Sequence, residues 1–252
     1  MCNFYGYQVS LASYIQLQKI EKKLGTFLAL EELKFLFNGF EYGHTPVLRK
    51  TTATDFNFEL MHWEFIPAWI RSMGEVYKSR KQGIPWLNAS SEKLLDSKMF
   101  REAALKRRCL VPASHFFEWR NYKPQGAKKE IKYPYCISAS EADYFYMAGI
   151  WNPFTDKETG ETFNCFAIVT TGANQLMTEI HNNKKRMPLI LPDELAWRWL
   201  MEDLNENEIR ELTNFKIAAT TLKAYTISKD FKTSTQPLAT YQYDDLPPIN
   251  QF

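Results

Sequence analysis

The chain has 252 residues, of which 45% are hydrophobic and 15% aromatic, enough to bury a sizeable core. Its 31 Lys and Arg against 29 Asp and Glu leave a formal charge of +2, too small to announce a nucleic-acid binder, though it permits one whose cations gather on one face. No apolar run approaches the roughly 18 residues of a membrane helix, and Met1 to Ile15 lacks the charged start and apolar run of a signal peptide, so a cytoplasmic protein is expected.

In chain order, the first feature of chemical interest is Cys2. Removal of Met1 would place its thiol beside a free α-amine with an ordinary pKa of about 7.7 to 8.0. Such a 1,2-aminothiol suits an aldehyde: the amine condenses to an imine and the sulfur closes a thiazolidine. A Cys at this position also occurs by chance.

Lys19 to Asn38 has helix-like spacing, with Leu24, Phe27, Leu28, Leu33, Leu36 and Phe37 three or four apart. Phe56 to Ile70 reads as a strand running into a turn at Pro67, and Lys98 to Arg108 as a helix ending in a basic run. Cys109 to Trp119 is β-branched and aromatic, with Pro112 as a break, and predicts two short strands or a bent one. Lys123 to Lys132 reads as a solvated hairpin tip. Strands follow at Tyr133 to Ile137, Tyr144 to Trp151 and Phe163 to Thr171, the last two joined by a hairpin loop at Lys157 to Glu161. Helices are expected over Glu194 to Leu200 and Asn205 to Leu212, with Asp193 and Asn205 as caps. The tail from Thr233 is polar with paired prolines and is expected to be loosely ordered, giving one α+β domain over residues 1–232 and a tail over 233–252.

Cys2, Cys109, Cys136 and Cys165 form no C-x-x-C pair, and His44, His62, His115 and His181 lack the spacing of a helical metal site. Reduced thiols, no metal and no cofactor are expected. Within Phe116-Phe117-Glu118-Trp119, strand alternation puts Phe116 on the face of Glu118, with Phe117 and Trp119 on the other. Burial there would raise the Glu118 pKa and equip it for proton transfer, whereas a solvated strand edge would leave it ordinary. Ile180-His181 precedes Asn182-Asn183-Lys184-Lys185-Arg186 and Met187-Pro188, an imidazole and three cations suited to phosphate or merely solvating a surface loop. Leu87-Asn88-Ala89-Ser90-Ser91-Glu92 reads as a loop entering a helix.

Together these segments resemble the SOS response-associated peptidase (SRAP) family. The resemblance rests on Met1-Cys2, on Trp63-Glu64-Phe65-Ile66-Pro67-Ala68-Trp69, on Asn88-Ala89-Ser90-Ser91-Glu92, on Arg107-Arg108-Cys109-Leu110-Val111-Pro112-Ala113 leading to Phe116-Phe117-Glu118-Trp119, and on His181 with Arg186-Met187-Pro188. It implies an α+β domain with a barrel-like, mostly antiparallel β core and peripheral helices. It also implies covalent capture of abasic sites in single-stranded DNA by a monomer, associated with the nucleoid in a bacterium. By similarity, Cys2 supplies both nucleophilic atoms, Glu118 moves protons during formation and reversal of the adduct, and His181 assists opening of the sugar ring. Asn88 would hydrogen-bond the captured sugar or the amino-terminal residue. The imine intermediate would also permit abasic-site lyase activity. Arg186, Lys184 and Lys185 would meet phosphates, with Ser90 in the same contact region, and Trp69 would offer a face to an unstacked base.

The chain departs from the family pattern in several places. Asn3, Phe4 and Tyr5 stand where an Arg is usual, Ser90 stands where another is usual, and the H-x-R-M-P spacing is lengthened by two residues. Glu64 replaces a Gly, and Gly43 in Gly43-His44-Thr45-Pro46 replaces an Asn. These changes bear on DNA affinity more than on the covalent chemistry. An alternative from another class is an amino-terminal-nucleophile peptidase or amidase, consistent with peptidase-type autoprocessing. A noncatalytic single-strand binder is a third.

Overall fold

The computed structural model describes residues 2–6 and 36–250. At its centre five strands close a ring. These are β3 (His44–Lys50), β4 (Phe56–Trp63), β6 (Arg108–Ala113), β9 (Phe145–Thr155) and β10 (Thr162–Gly172). The order is β10-β4-β3-β6-β9, and β9 pairs back onto β10. All contacts in this barrel are antiparallel except β10 with β4, where Cys165 faces His62 and Phe166 faces Trp63. Three short strands extend it: β5 (Asn88–Ser90) and β11 (Arg186–Pro188) on β10, and β12 (Ile190–Leu191) on β9. Closure demands close backbone approach at Gly149, where a Cβ would stand 2.8 Å from Cys109 Sγ and 3.2 Å from the Ala167 carbonyl oxygen.

A second, antiparallel sheet runs in the order β13-β8-β7-β1-β2. Its members are β1 (Phe4–Gly6), β2 (Phe37–Asn38), β7 (His115–Tyr122), β8 (Ile131–Ala139) and β13 (Leu222–Thr226). Side chains alternate across it as expected: Phe116 joins the core cluster that contains Cys2, Trp63 and Phe166, while Phe117 and Trp119 pack on the other face against Phe4 and Phe231. The barrel's other flank is covered by α2 (Arg101–Lys106), α4 (Asp193–Met201) and α5 (Glu206–Asn214), around Trp199, Leu200 and Leu212. α1 (Met73–Lys81) follows β4, and α3 (Gln175–Ile180) follows β10.

The fold is therefore α+β with a barrel core and peripheral helices. Several local expectations are corrected. The chain bends at Ser114, between β6 and β7, and Pro112 lies inside β6, in register with Tyr146 on the neighbouring strand, instead of breaking it. The N-cap of α4 is Pro192, and Asp193 is the first helical residue. Asn205 does cap α5, forming a capping box with Glu208. Arg108 opens β6 instead of ending a helix, and Asn88–Ser90 is a strand instead of a loop. Of the helix expected over Lys19 to Asn38, the part up to residue 35 lies outside the described residues, and Phe37–Asn38 is a strand because its backbone pairs with Tyr5 and Phe4. From Thr233 to Asn250 the chain is irregular. It is held by Tyr133 Oη donating to Asp245 (2.6 Å), Arg120 donating to the Pro247 carbonyl (2.6 Å) and the Asn250 amide donating to Glu179 (2.9 Å).

Candidate functional site

The amino-terminal residues enter the core beside β7. The antiparallel register sets Tyr5 opposite Phe116, and Cys2, just ahead of that strand, joins the core cluster of Phe116 and feels the charge of Glu118. Cys2 is fully buried, and its Sγ lies 3.8 Å from the Phe4 carbonyl oxygen. Burial pushes its thiol pKa well up, and the charge of Glu118 adds to that push.

Asn3 is fixed from two sides. Its carbonyl accepts from the Gly39 amide (2.9 Å), and its side-chain Oδ1 accepts from Asn88 Nδ2 (2.9 Å). Asn88 itself is placed by the parallel pairing of β5 with β10, where it faces Ile168. Its own Oδ1 is buried and accepts no hydrogen bond from the described residues. A buried acceptor of this kind costs free energy until a donor reaches it, on the order of 1–3 kcal/mol.

Glu118 points from β7 into the same interior and is 3% exposed. Burial raises its pKa from 4.5 to about 7, against the pull of the amino-terminal ammonium, of a hydrogen bond from the Trp119 backbone and, least, of the Lys184 ammonium. Facing it, His181 closes α3, whose amino terminus is fixed by Asn174: the side chain accepts from the Met177 amide (2.9 Å) and donates to the Ile217 carbonyl (3.1 Å). His181 Nδ1 lies 2.8 Å from the Arg186 carbonyl oxygen. A carbonyl only accepts, so Nδ1 carries the proton and Nε2 turns a lone pair toward Glu118 Oε2, 3.7 Å away. Burial depresses the imidazole pKa to about 4. At neutral pH the pair is therefore a neutral imidazole beside a carboxyl near half-protonation, not an ion pair.

The structure thus gathers Cys2, Asn88, Glu118 and His181 at one end of the core. Sequence reasoning missed Asn3, which an unremarkable Asn after a Cys does not advertise. Arg186 lies close by, but its guanidinium is engaged within the protein. Nη1 donates to Glu92 (2.5 Å), and Nη2 donates to the Thr170 carbonyl (2.6 Å) with Ser90 Oγ at 3.4 Å. Ser90 Oγ in turn donates to Glu92 (2.5 Å). Burial pushes the Glu92 carboxyl up, but the hydrogen bonds from Arg186 and Ser90 outweigh it and hold the group at about 2. Lys184 and Lys185 are exposed, and Lys185 sits in the left-handed region at φ 50°. Trp69 is 58% exposed between β4 and α1, and no hydrogen bond or ring contact among the described residues ties it to the cluster. Among the described residues no group of three His, Cys, Asp or Glu could hold a metal ion, and no helix is long and apolar enough to cross a membrane.

Comparison with known proteins gives the family. Residues 1–234 match the family SOS response associated peptidase (SRAP). Abasic site processing protein YoqW of Bacillus subtilis (strain 168) is 33% identical over 140 residues, 56% of this chain and 55% of that protein. Abasic site processing protein YedK of Escherichia coli (strain K12) is 32% identical over 128 residues, 51% of this chain and 53% of that protein. The matched stretch thus spans about half the length of these relatives. A crystal structure of a protein from Bacteroides thetaiotaomicron superposes with a TM-score of 0.78 at 28% identity, covering 94% of this chain and 97% of that one.

Proposed function

The chain belongs to the SRAP family, and from that premise we propose that it captures abasic sites in single-stranded DNA covalently through Cys2. The observation that carries this reading is the burial of Cys2, Glu118 and His181 around one point, with Glu118 poised near neutrality and His181 neutral. The names of the relatives, abasic site processing proteins, support the same substrate.

Loss of Met1 frees the Cys2 amine. The ring-opened deoxyribose presents an aldehyde, the amine adds to its carbonyl carbon, and the resulting carbinolamine loses water to give an imine. The thiol then adds across the C=N bond, its sulfur joining carbon and its proton passing to nitrogen, so one water is lost overall. Glu118 is the group near neutrality through which these protons can pass, including the one leaving the Cys2 thiol, whose own pKa burial raises. Glu118 at about 7 holds both forms: the acid protonates the departing hydroxyl, and the carboxylate takes a proton from the ammonium or the thiol. Reversal uses the same steps backward.

The lone pair on His181 Nε2 can take a proton from the C1 hydroxyl of the closed sugar; the C1–ring-oxygen bond then breaks to leave the aldehyde, and the departing ring oxygen takes a proton back from the imidazolium or from water, so the opening is proton-neutral overall. The open acceptor Asn88 Oδ1 can take a hydrogen bond from the sugar hydroxyl or the amine. Lys184, whose charge is felt by both Glu118 and His181, is placed to meet a phosphate next to the captured sugar. A thiol pushed up by burial is a poor free thiolate, which disfavours direct attack on a peptide carbonyl.

The test is a denaturing gel of the protein with a labelled single strand bearing one abasic site, run beside C2A and an intact strand. A heat-surviving shifted band only with the unsubstituted protein and the abasic strand is expected. A band that persists with C2A would overturn the thiazolidine mechanism.

A further inference from the structure

The lengthened connection between His181 and Arg186 is tied to β7 by one side chain. Asn182 Oδ1 accepts from the Asn121 amide (3.0 Å), and Asn182 Nδ2 donates to the Asn121 carbonyl (2.7 Å). The carboxamide thus satisfies both backbone groups of Asn121, as a neighbouring strand would. Asn121 lies on β7 shortly after Glu118, and Asn182 follows His181 directly, so the clasp joins the two segments that carry the facing pair. The rest of the loop is held by its own turn and by the end of β10. The Lys185 amide donates to the His181 carbonyl (2.8 Å), the Lys185 carbonyl accepts from the Ala173 amide (2.9 Å), and His181 Nδ1 donates to the Arg186 carbonyl (2.8 Å).

We infer that Asn182 is a positioning residue, its clasp on Asn121 holding the His181 imidazole against Glu118 and out of water; this rests on reading that pair as the working groups of the proposed reaction. Without the clasp the loop keeps its internal turn but loses its hold on β7, and the ring moves toward solvent. The charged groups that act on the ring are Glu118 from β7, Lys184 and Arg186 from its own loop, and the amino terminus. The main effect holding the ring neutral is burial, so hydration should return its pKa toward the ordinary 6.5.

The experiment is an NMR titration of the His181 ring nitrogens in purified protein without DNA, comparing the unsubstituted protein with N182A, alongside thermal melting and the pH profile of adduct formation. In N182A the His181 pKa is expected to rise by about one unit or more toward 6.5, with a matching shift of the acidic limb of the pH profile. A merely structural asparagine would lower the melting temperature and leave both unmoved, and a folded N182A with unchanged His181 titration overturns the inference. Should N182A fail to fold, N182S is read in the same way. The Asn121 amide of the unsubstituted protein adds an independent check: slow hydrogen exchange supports the clasp, and exchange at the rate of an open loop overturns it. The titration needs no DNA, so failure to capture abasic strands would strike the chemical reading alone and leave the clasp tested.

Discussion

His181 Nε2 stands 3.7 Å from Glu118 Oε2, and the two groups are displaced in opposite directions, Glu118 up to about 7 and His181 down to about 4. Their effects on stability oppose each other. Glu118 binds its proton more tightly folded than unfolded, so its contribution is fully present below pH 4.5 and is lost as pH rises toward 7. His181 binds its proton less tightly when folded, so its contribution is present above pH 6.5 and is lost as pH falls toward 4. Between about pH 4.5 and 6.5 the two slopes largely cancel. Chemical denaturation across this range should show E118Q gaining stability as pH rises, because His181 remains, and H181Q losing it. Curves parallel to the unsubstituted protein in both variants would show that neither group is perturbed as described.

The division of labour between the two nucleophilic atoms of Cys2 gives a second prediction. C2S keeps the amine after Met1 removal but replaces sulfur with a far weaker ring-closing atom. It should form an imine that borohydride traps and that heat or dilution otherwise reverses. A heat-stable adduct of C2S without reductant would mean that the amine, and not the thiazolidine, accounts for the stable product.

Much of this site was legible in the sequence because its residues interrupt the pattern around them. Glu118 breaks an aromatic strand, and strand alternation alone put it on the Phe116 face, where it lies. The strands β8, β9 and β10 announced themselves through runs of β-branched and aromatic residues. What stayed hidden depends on partners distant in the chain. β5 is a strand only because β10 pairs with it, and the α1 sequence buries Val76 alone, leaving little periodicity to read. Arg186 reads as a spare cation until Glu92 and Thr170 are brought against it. Asn182 looked like loop filling because its partner is a backbone, which no side-chain pattern reveals.

Arg108 carries a stability prediction independent of the chemistry. It is 7% exposed, and its guanidinium donates to the carbonyls of Trp199 (2.7 Å), Ala104 (3.0 Å) and Leu105 (2.7 Å), and to that of Glu202. These are carbonyls at the carboxyl ends of α2 and α4, which have no helical partner of their own. R108A leaves several of them buried and unsatisfied, and should destabilise the protein by on the order of 3 kcal/mol. Urea denaturation reads this directly, and capture of abasic strands well below the melting temperature should be unchanged. A midpoint equal to that of the unsubstituted protein would mean that water reaches those carbonyls.

The last prediction concerns the missing arginines. Arg186 brings a guanidinium to Ser90, the position where the family resemblance expects an Arg, but Glu92 neutralises it there. The Thr170 carbonyl holds the same guanidinium independently of Glu92. In E92Q the cation should therefore stay in place and lose its counter-charge. If a phosphate of the strand passes this point, each neutralised phosphate steepens the salt dependence of single-strand affinity by about 0.7 in the log–log slope. Fluorescence anisotropy with an intact oligonucleotide over a range of salt should then show E92Q binding more tightly at low salt and with that steeper slope. R186M should weaken binding little in the native background, because its charge is already answered, and should abolish the gain in the E92Q background. An E92Q slope equal to that of the native protein would place the strand away from Ser90 and Arg186, leaving Lys184 and Lys185 as the phosphate contacts beside the site.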